Sequence, residues 1–273
     1  MTINIKGQLI ELEFPKIMGV LNLTPDSFYD GGQYNTLDRA IDHTAKMLEE
    51  GATFIDVGAF SSKPGASEVN EEKEKKRLFP LLEELLKRFP DTLFSVDTYR
   101  AKIAGGCLER GVAMINDISG GQFDPNMMKT VAKHQAPYVL MHLQGKPKDM
   151  QDNPTYENVV QDVLHYFSKK IEAAHQCGIN DILIDPGFGF GKTVDHNYQL
   201  LKHLDLFTSL QCPIMVGLSR KSMIYKTLGL SPHQALNGST VLHTVALLKG
   251  AQIVRVHDVK EAKECTDLLQ ALR

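Results

Sequence analysis

Eight short runs of apolar and β-branched residues, separated by longer amphipathic stretches, constrain this chain more than any other feature. They are IMGVLN (17–22), FIDVGA (54–59), FSVDT (94–98), MINDIS (114–119), YVLMHL (138–143), ILIDPG (182–187), IMVGLS (214–219) and IVRVHD (253–258). Parallel strands covered on both faces need apolar residues at the start of each run in this way. Between the runs lie helical patterns. TLDRAIDHTAKMLEEG (36–51) places Leu37, Ala40, Ile41, Ala45 and Leu48 on one stripe and ends at a capping Gly51. EEKEKKRLFPLLEELLKRF (71–89) begins acidic and ends basic, as the helix dipole favours, and its Pro80 predicts a kink or a break. Segments around 101–111, 125–135, 156–178, 196–208, 233–249 and 258–272 supply the remaining helices.

Eight strand–helix units in 273 residues predict an α/β chain folded as a single (β/α)8 TIM barrel, one domain over 1–273 with its core at about 15–260. An open doubly wound sheet is the rival, but it uses fewer strands in a domain of this size. INIKGQLIEL, ahead of the first run, alternates around Gly7 and predicts a small β-hairpin closing the barrel bottom. The formal net charge of −3 gives no electrostatic reason to expect nucleic acid or an anionic membrane as partner. The N-terminus has no continuous apolar segment and no long apolar run follows, so a cytoplasmic protein is expected. Cys107, Cys177, Cys212 and Cys265 show no metal-binding spacing and read as free thiols of a reducing compartment.

Most of the runs finish on polar side chains: Asn22, Asp56, Asp97, Asn116 with Asp117, His142, Asp185, Ser219, and Arg255 with His257. A barrel places its active site at that end. One such residue would serve as a helix cap, whereas a set converging on one rim makes a site. Asp56, Asp97, Asn116 and Asp185 suit the N–H donors of a nitrogen-rich heterocycle, and the same carboxylates also suit a metal ion. Lys221, Arg255 and His257 follow the last two runs, where barrels commonly hold phosphate. His142 stands alone and His257 lacks an HxH or HExxH partner, which argues against a dedicated zinc site. The segments 23–35 and 60–72 are long for barrel loops and suit lids or binding elements.

DPGFGFGKT (185–193) imitates a nucleotide-binding P-loop. That motif needs four residues between its glycine and Gly-Lys-Ser/Thr, and Gly187 to Gly191 encloses only three. Lys192 then reads as a structural or solvated cation.

IMGVLNLTPDSFYDGG and FIDVGAFSSKPGA resemble the two signature regions of bacterial dihydropteroate synthases. FSVDTYR, MINDISGG, MHLQGKPKDMQ, ILIDPGFGFGKT, GLSRKSMI and RVHDV follow in the family's order over about residues 15–260. The resemblance implies condensation of (7,8-dihydropterin-6-yl)methyl diphosphate with 4-aminobenzoate to 7,8-dihydropteroate and diphosphate, with Mg2+ as cofactor. It implies a pterin site at Asp56, Asp97, Asn116, Met141, Asp185 and Lys221, and a diphosphate site at Asn22, Ser62, Arg255 and His257, with Mg2+ on Asn22. It places 4-aminobenzoate at Ser62, Lys63, Pro64, Gly189, Phe190 and Ser222, and gives the catalytic parts to Asp97, Lys221, Arg255 and His257. It further implies a homodimer, sulfonamides as competitors, and loops after the first two strands that close so that pterin diphosphate binds first.

Three positions depart from the family's best-known members: Phe60 stands in place of Glu, Ser62 of Thr and Lys63 of Arg. Serine keeps the hydroxyl without the methyl, and lysine keeps the charge without the planar fork. These changes are expected to alter affinity for 4-aminobenzoate and its sulfonamide mimics. Two other functions share the pterin pocket. A methyltetrahydrofolate-dependent methyltransferase needs no Arg255/His257 pair, and a non-catalytic pterin-binding paralogue would have lost phosphate or Mg2+ residues that are retained here.

Overall fold

In a computed structural model, which describes residues 1–22, 33–59 and 69–272, the eight apolar runs become eight parallel strands. After an N-terminal pair, β1 (Thr2–Ile5) and β2 (Gln8–Glu11), they are β3 (Lys16–Asn22), β4 (Phe54–Gly58), β5 (Leu93–Asp97), β6 (Met114–Asp117), β7 (Tyr138–Met141), β8 (Ile182–Asp185), β9 (Met215–Val216) and β10 (Ile253–Val256). They hydrogen-bond in the order β8-β7-β6-β5-β4-β3-β10-β9, and a parallel bridge between Ile184 and Ile214 closes the ring. Helices α1 (Gln33–Glu49), α2 (Glu71–Arg88), α3 (Ala101–Glu109), α4 (Met127–Lys133), α5 (Val159–Gln176), α6 (Val194–Lys202), α7 (Ser222–Leu228), α8 (Leu236–Leu248) and α9 (Val259–Ala271) surround it. The expected TIM barrel is therefore the observed fold.

Strand alternation divides the core into two layers and prepares the site. Ile17, Leu21, Ile55, Val57, Phe94, Val96, Ile115, Leu140, Ile184 and Val254 face the helices and join their apolar stripes in one buried cluster. Met18, Phe54, Met114, Val139, Leu183, Met215 and Ile253 form a second cluster inside the barrel, at its lower end. Two residues further along the same inward face, Phe54 is followed by Asp56, Met114 by Asn116, Leu183 by Asp185 and Ile253 by Arg255. The barrel interior thus turns from apolar to polar over about 7 Å, two residues of rise.

The N-terminal hairpin does close the bottom. β1 pairs antiparallel with β2 around Lys6 and Gly7, both at positive φ (52° and 84°), as a two-residue hairpin turn requires. Ile3, Ile5 and Leu12 pack into the lower interior cluster, while Asn4 N–H donates to Asp181 at 2.7 Å and Lys6 to the Gly111 carbonyl.

Three local expectations change. α2 runs unbroken through Pro80, because that residue sits on the exposed face, where water can serve the carbonyl left without its N–H. Its buried face, Leu78, Phe79, Leu81, Leu82 and Leu85, holds both halves of the helix to the barrel. The seventh barrel strand shrinks to Met215–Val216, and the residues after it form the short α7, absent from the sequence reading and ended by Gly229 at φ 65°. The pattern at 196–208 is split between α6, from Val194, and a 3-10 segment over Leu204–Leu210. Among the described residues, no helix is long and apolar enough to cross a membrane.

Candidate active site

Asp97 at the end of β5 and Asn116 in β6 are register partners, and Asp56 lies on the same inward face of β4. Arg255 of β10 reaches across to them. Its Nε donates to Asp56 Oδ2 at 2.7 Å and its Nη2 to Asp97 Oδ2 at 3.2 Å, while Asn116 Nδ2 donates to Asp56 Oδ2 at 2.9 Å. Carboxylates and cation, which the sequence divides between two ends of the rim, here form one network. Asp56 Oδ1 and Asp97 Oδ1 are buried with no hydrogen-bond partner among the described residues. Buried polar atoms are rarely left in that state, and at a site they mark where ligand donors go.

Burial raises the Asp97 pKa to about 7; Arg255 opposes the shift and Asp56 adds to it. Burial also works against the Arg255 charge, but Asp56 and Asp97 outweigh it and hold the guanidinium protonated more firmly than usual.

Asp185, at the end of β8, is tied to the turn that follows it: Gly187 N–H donates to its Oδ1 at 2.8 Å. Burial raises its pKa, against the pull of Lys221. Gly187 has φ 70°, and a side chain there would run into the His142 carbonyl oxygen, so only glycine fits. Lys221, just ahead of α7, donates to the Phe188 carbonyl and lies 4.4 Å from the centre of the Phe190 ring. Burial lowers its pKa to about 8, with Asp185 opposing and Arg255 assisting. Gly189, Phe190 and Lys221 are thus adjacent, and Ser222 opens α7 beside them. Met141, at the end of β7, is buried with Ile118, Leu143 and Met150, and Phe190 and Tyr99 flank this apolar group.

Asn22 ends β3 as the register partner of Gly58. His257 is exposed just beyond β10, its N–H 3.3 Å from Ser219 Oγ. Ser62, Lys63 and Pro64, with Phe60, lie outside the described residues, as do 23–32.

Two polar strand ends prove to be structural. Asp117 faces away from the barrel interior, and Ser119 N–H and Oγ, Gly121 N–H and the Tyr138 hydroxyl saturate its carboxylate at 2.6–2.8 Å. His142 points to Lys192, whose Nζ is 2.9 Å from His142 Nδ1. Lys192 is structural rather than solvated, since only 2% of it is exposed. The P-loop likeness also fails in three dimensions. The N–H groups of Gly187, Gly189 and Phe190 are taken by Asp185, Asn197 and the Gly187 carbonyl, so none is free to cradle phosphate.

The network missed by sequence reasoning lies just beyond Asp97. Glu74 of α2 is wholly buried and accepts from Thr98 Oγ at 2.7 Å and from Arg100, which also donates to the Val69 carbonyl at 2.6 Å. As one of three Glu residues in an acidic first turn, Glu74 gave no sign of burial.

Comparison with known proteins agrees with this geometry. Residues 18–257 match the model of a family described as pterin binding enzyme. A dihydropteroate synthase of Haemophilus influenzae is 45% identical over 267 residues, 97% of this chain and 96% of the relative. The Yersinia pestis dihydropteroate synthase, solved with a sulfonamide drug complex, superposes with a TM-score of 0.93 at 44% identity, covering 100% of this chain and 99% of that one. The Xanthomonas albilineans enzyme, solved with 4-aminobenzoic acid, gives a TM-score of 0.92 at 38% identity, covering 99% and 97%. With an interior carboxylate–amide–guanidinium network at the barrel mouth and this likeness along its length, the chain belongs to the dihydropteroate synthase family of pterin-binding enzymes.

Proposed function

We propose that the barrel mouth condenses (7,8-dihydropterin-6-yl)methyl diphosphate with 4-aminobenzoate, giving 7,8-dihydropteroate and diphosphate. The observation that carries this reading is the pair of buried oxygens without a partner among the described residues, Asp56 Oδ1 and Asp97 Oδ1, bracketed by Arg255 and Asn116. A pterin ring edge offers adjacent N–H donors and an acceptor, which two carboxylates and an amide complement. Asp185 and Lys221 extend the polar wall, and Met141 supplies an apolar surface for the ring.

In the reaction the carbon–oxygen bond of the pterin methylene breaks, its electron pair leaving with diphosphate, and the aniline nitrogen forms the new carbon–nitrogen bond and loses a proton. Ionised Asp97, held by Arg255, stabilises positive charge spreading from the methylene into the ring. Arg255, in β10, and His257, just beyond it, would meet the leaving group. Phe190, Gly189 and Ser222 position the weakly nucleophilic amine, which needs orientation more than activation. The complex of the Xanthomonas enzyme with 4-aminobenzoic acid supports this amine as the second substrate.

Mg2+ fits as a shared ion. Among the described residues no group of three His, Cys, Asp or Glu could cage a metal, whereas Asn22 offers one hard amide oxygen at the strand end. An ion held by one protein oxygen, substrate phosphate oxygens and water matches the habits of Mg2+, and it would neutralise charge on the departing diphosphate.

Sulfonamide competition, supported by the Yersinia complex, belongs to the same reading. So does a homodimer, for which Val241 and Leu248 on α8 and Leu268 on α9 offer exposed apolar side chains. A cytoplasmic setting suits the four free cysteines. Mass-spectrometric detection of 7,8-dihydropteroate after incubation with both substrates and Mg2+ tests the proposal; no product at any enzyme concentration would refute it.

A further inference from the structure

The turn between β8 and α6 has its carbonyl oxygens gripped by side chains one after another. Lys192 Nζ donates to those of Gly187 and Phe190, each at 3.0 Å; Lys221 takes Phe188, Gln151 takes Gly189, and the Tyr156 hydroxyl takes Gly191 at 2.7 Å. Lys192 is the buried member, and it also meets the His142 carbonyl at 3.3 Å and His142 Nδ1 at 2.9 Å. Three carbonyls and a ring nitrogen surround Nζ, enough acceptors to occupy all three protons of an ammonium. Burial drives the Lys192 pKa well below its ordinary value, with Asp185 opposing the shift and Lys221 adding to it.

Lys192 and Lys221 therefore both hold carbonyls of one turn, and that turn carries the Phe190 ring on which Lys221 rests. Of the pterin-facing groups, Asp185 and Lys221 meet this turn, at the Gly187 N–H and the Phe188 carbonyl, and the others do not. Asp56, Asp97, Asn116 and Arg255 come from β4, β5, β6 and β10 and hold one another.

We propose that Lys192 is a positioning residue for the second substrate: by holding the Gly187 and Phe190 carbonyls it fixes the Phe190 ring at the aromatic-amine end of the site, while most of the pterin end is held from other strands. The assignment of that end rests on the proposed function; the grip on the turn does not.

The test compares wild type with Lys192→Met, which keeps the length and loses every donor, and with Lys192→Gln, which retains two N–H donors. In Lys192→Met, kcat/KM for 4-aminobenzoate should fall about 10- to 100-fold, the range that misplacement by about an ångström produces. The Kd for pterin diphosphate should stay within about threefold, since four of its polar partners are untouched. Lys192→Gln should recover part of the loss, and it supplies the kinetic comparison where the Met variant does not fold. Amide hydrogen exchange gives a readout independent of turnover: the Phe190 N–H, bonded to the Gly187 carbonyl at 3.1 Å, should exchange at least about tenfold faster in the variants while α5 amides keep their rates. Unchanged Phe190 protection overturns the proposal whatever the assay shows. So does an active wild type whose variants lose only thermal stability, or lose pterin and amine affinity equally. A wild type that makes no dihydropteroate but shows faster Phe190 exchange in the variants refutes the functional reading and leaves the grip of Lys192 standing.

Discussion

Arg255 Nη2 lies 3.2 Å from Asp97 Oδ2, while the other oxygen of that carboxylate is buried without a partner among the described residues. One half of Asp97 is fixed by Arg255, and under the proposed function the other half accepts from the ligand. That division lets a carboxylate be oriented by a cation and still have a strong acceptor to offer.

Asp97→Asn should keep the fold and the Arg255–Asp56 contact but lose the negative charge facing the pterin. A fall in kcat of about 100-fold or more is expected, the scale seen when one preorganised electrostatic group is removed. A turnover within about threefold of wild type would show that charge at Asp97 does not stabilise the transition state.

The pH profile should be a narrow bell. Asp97, raised to about 7, must lose its proton to accept from the pterin, so kcat/KM for pterin diphosphate should fall by about tenfold per unit below pH 7. Lys221, lowered to about 8, loses its charge on the alkaline side, and Lys221→Arg should extend the plateau upward. Stability has a matching sign. The folded pKa of Asp97 lies above the unfolded one, so its contribution is greatest below about pH 4 and is lost as pH rises through 7; Asp97→Asn should flatten that slope in urea titrations.

Glu74→Met should destabilise the barrel by roughly 3 kcal/mol, because it removes the acceptor for both Thr98 and Arg100 from a wholly buried position. The urea midpoint checks this. A change under about 0.5 kcal/mol would mean that Thr98 and Arg100 do not depend on the Glu74 carboxylate.

Asn22→Ala should raise the Mg2+ concentration needed for half-maximal turnover. A Mg2+ dependence identical to wild type would exclude Asn22 as a ligand. The same titration, begun after chelation, should show activity returning with Mg2+.

Much of this site was legible from strand ends, since the eight apolar runs fix where each barrel strand stops. Side-chain direction was the missing information, and alternation carries it. Asn116 faces inward with Asp97, so the next residue, Asp117, must face out, where Tyr138 and Ser119 take it up. The same count separates Met141 from His142. Burial of Lys192 was not legible at all, because its acceptors are backbone carbonyls whose aim depends on the positive φ of Gly187, Gly189 and Gly191. Pro80 misled for a related reason: its cost depends on which helix face meets water, and here the exposed face does.

The most direct test of the account is the initial rate of diphosphate release by wild type and Asp97→Asn, with each substrate alone and with both together in Mg2+. The expected result is release only with both substrates, one diphosphate for each 7,8-dihydropteroate formed, and at least about a 100-fold loss in the variant. Equal rates in the two proteins, or rapid release that does not depend on 4-aminobenzoate, would contradict it.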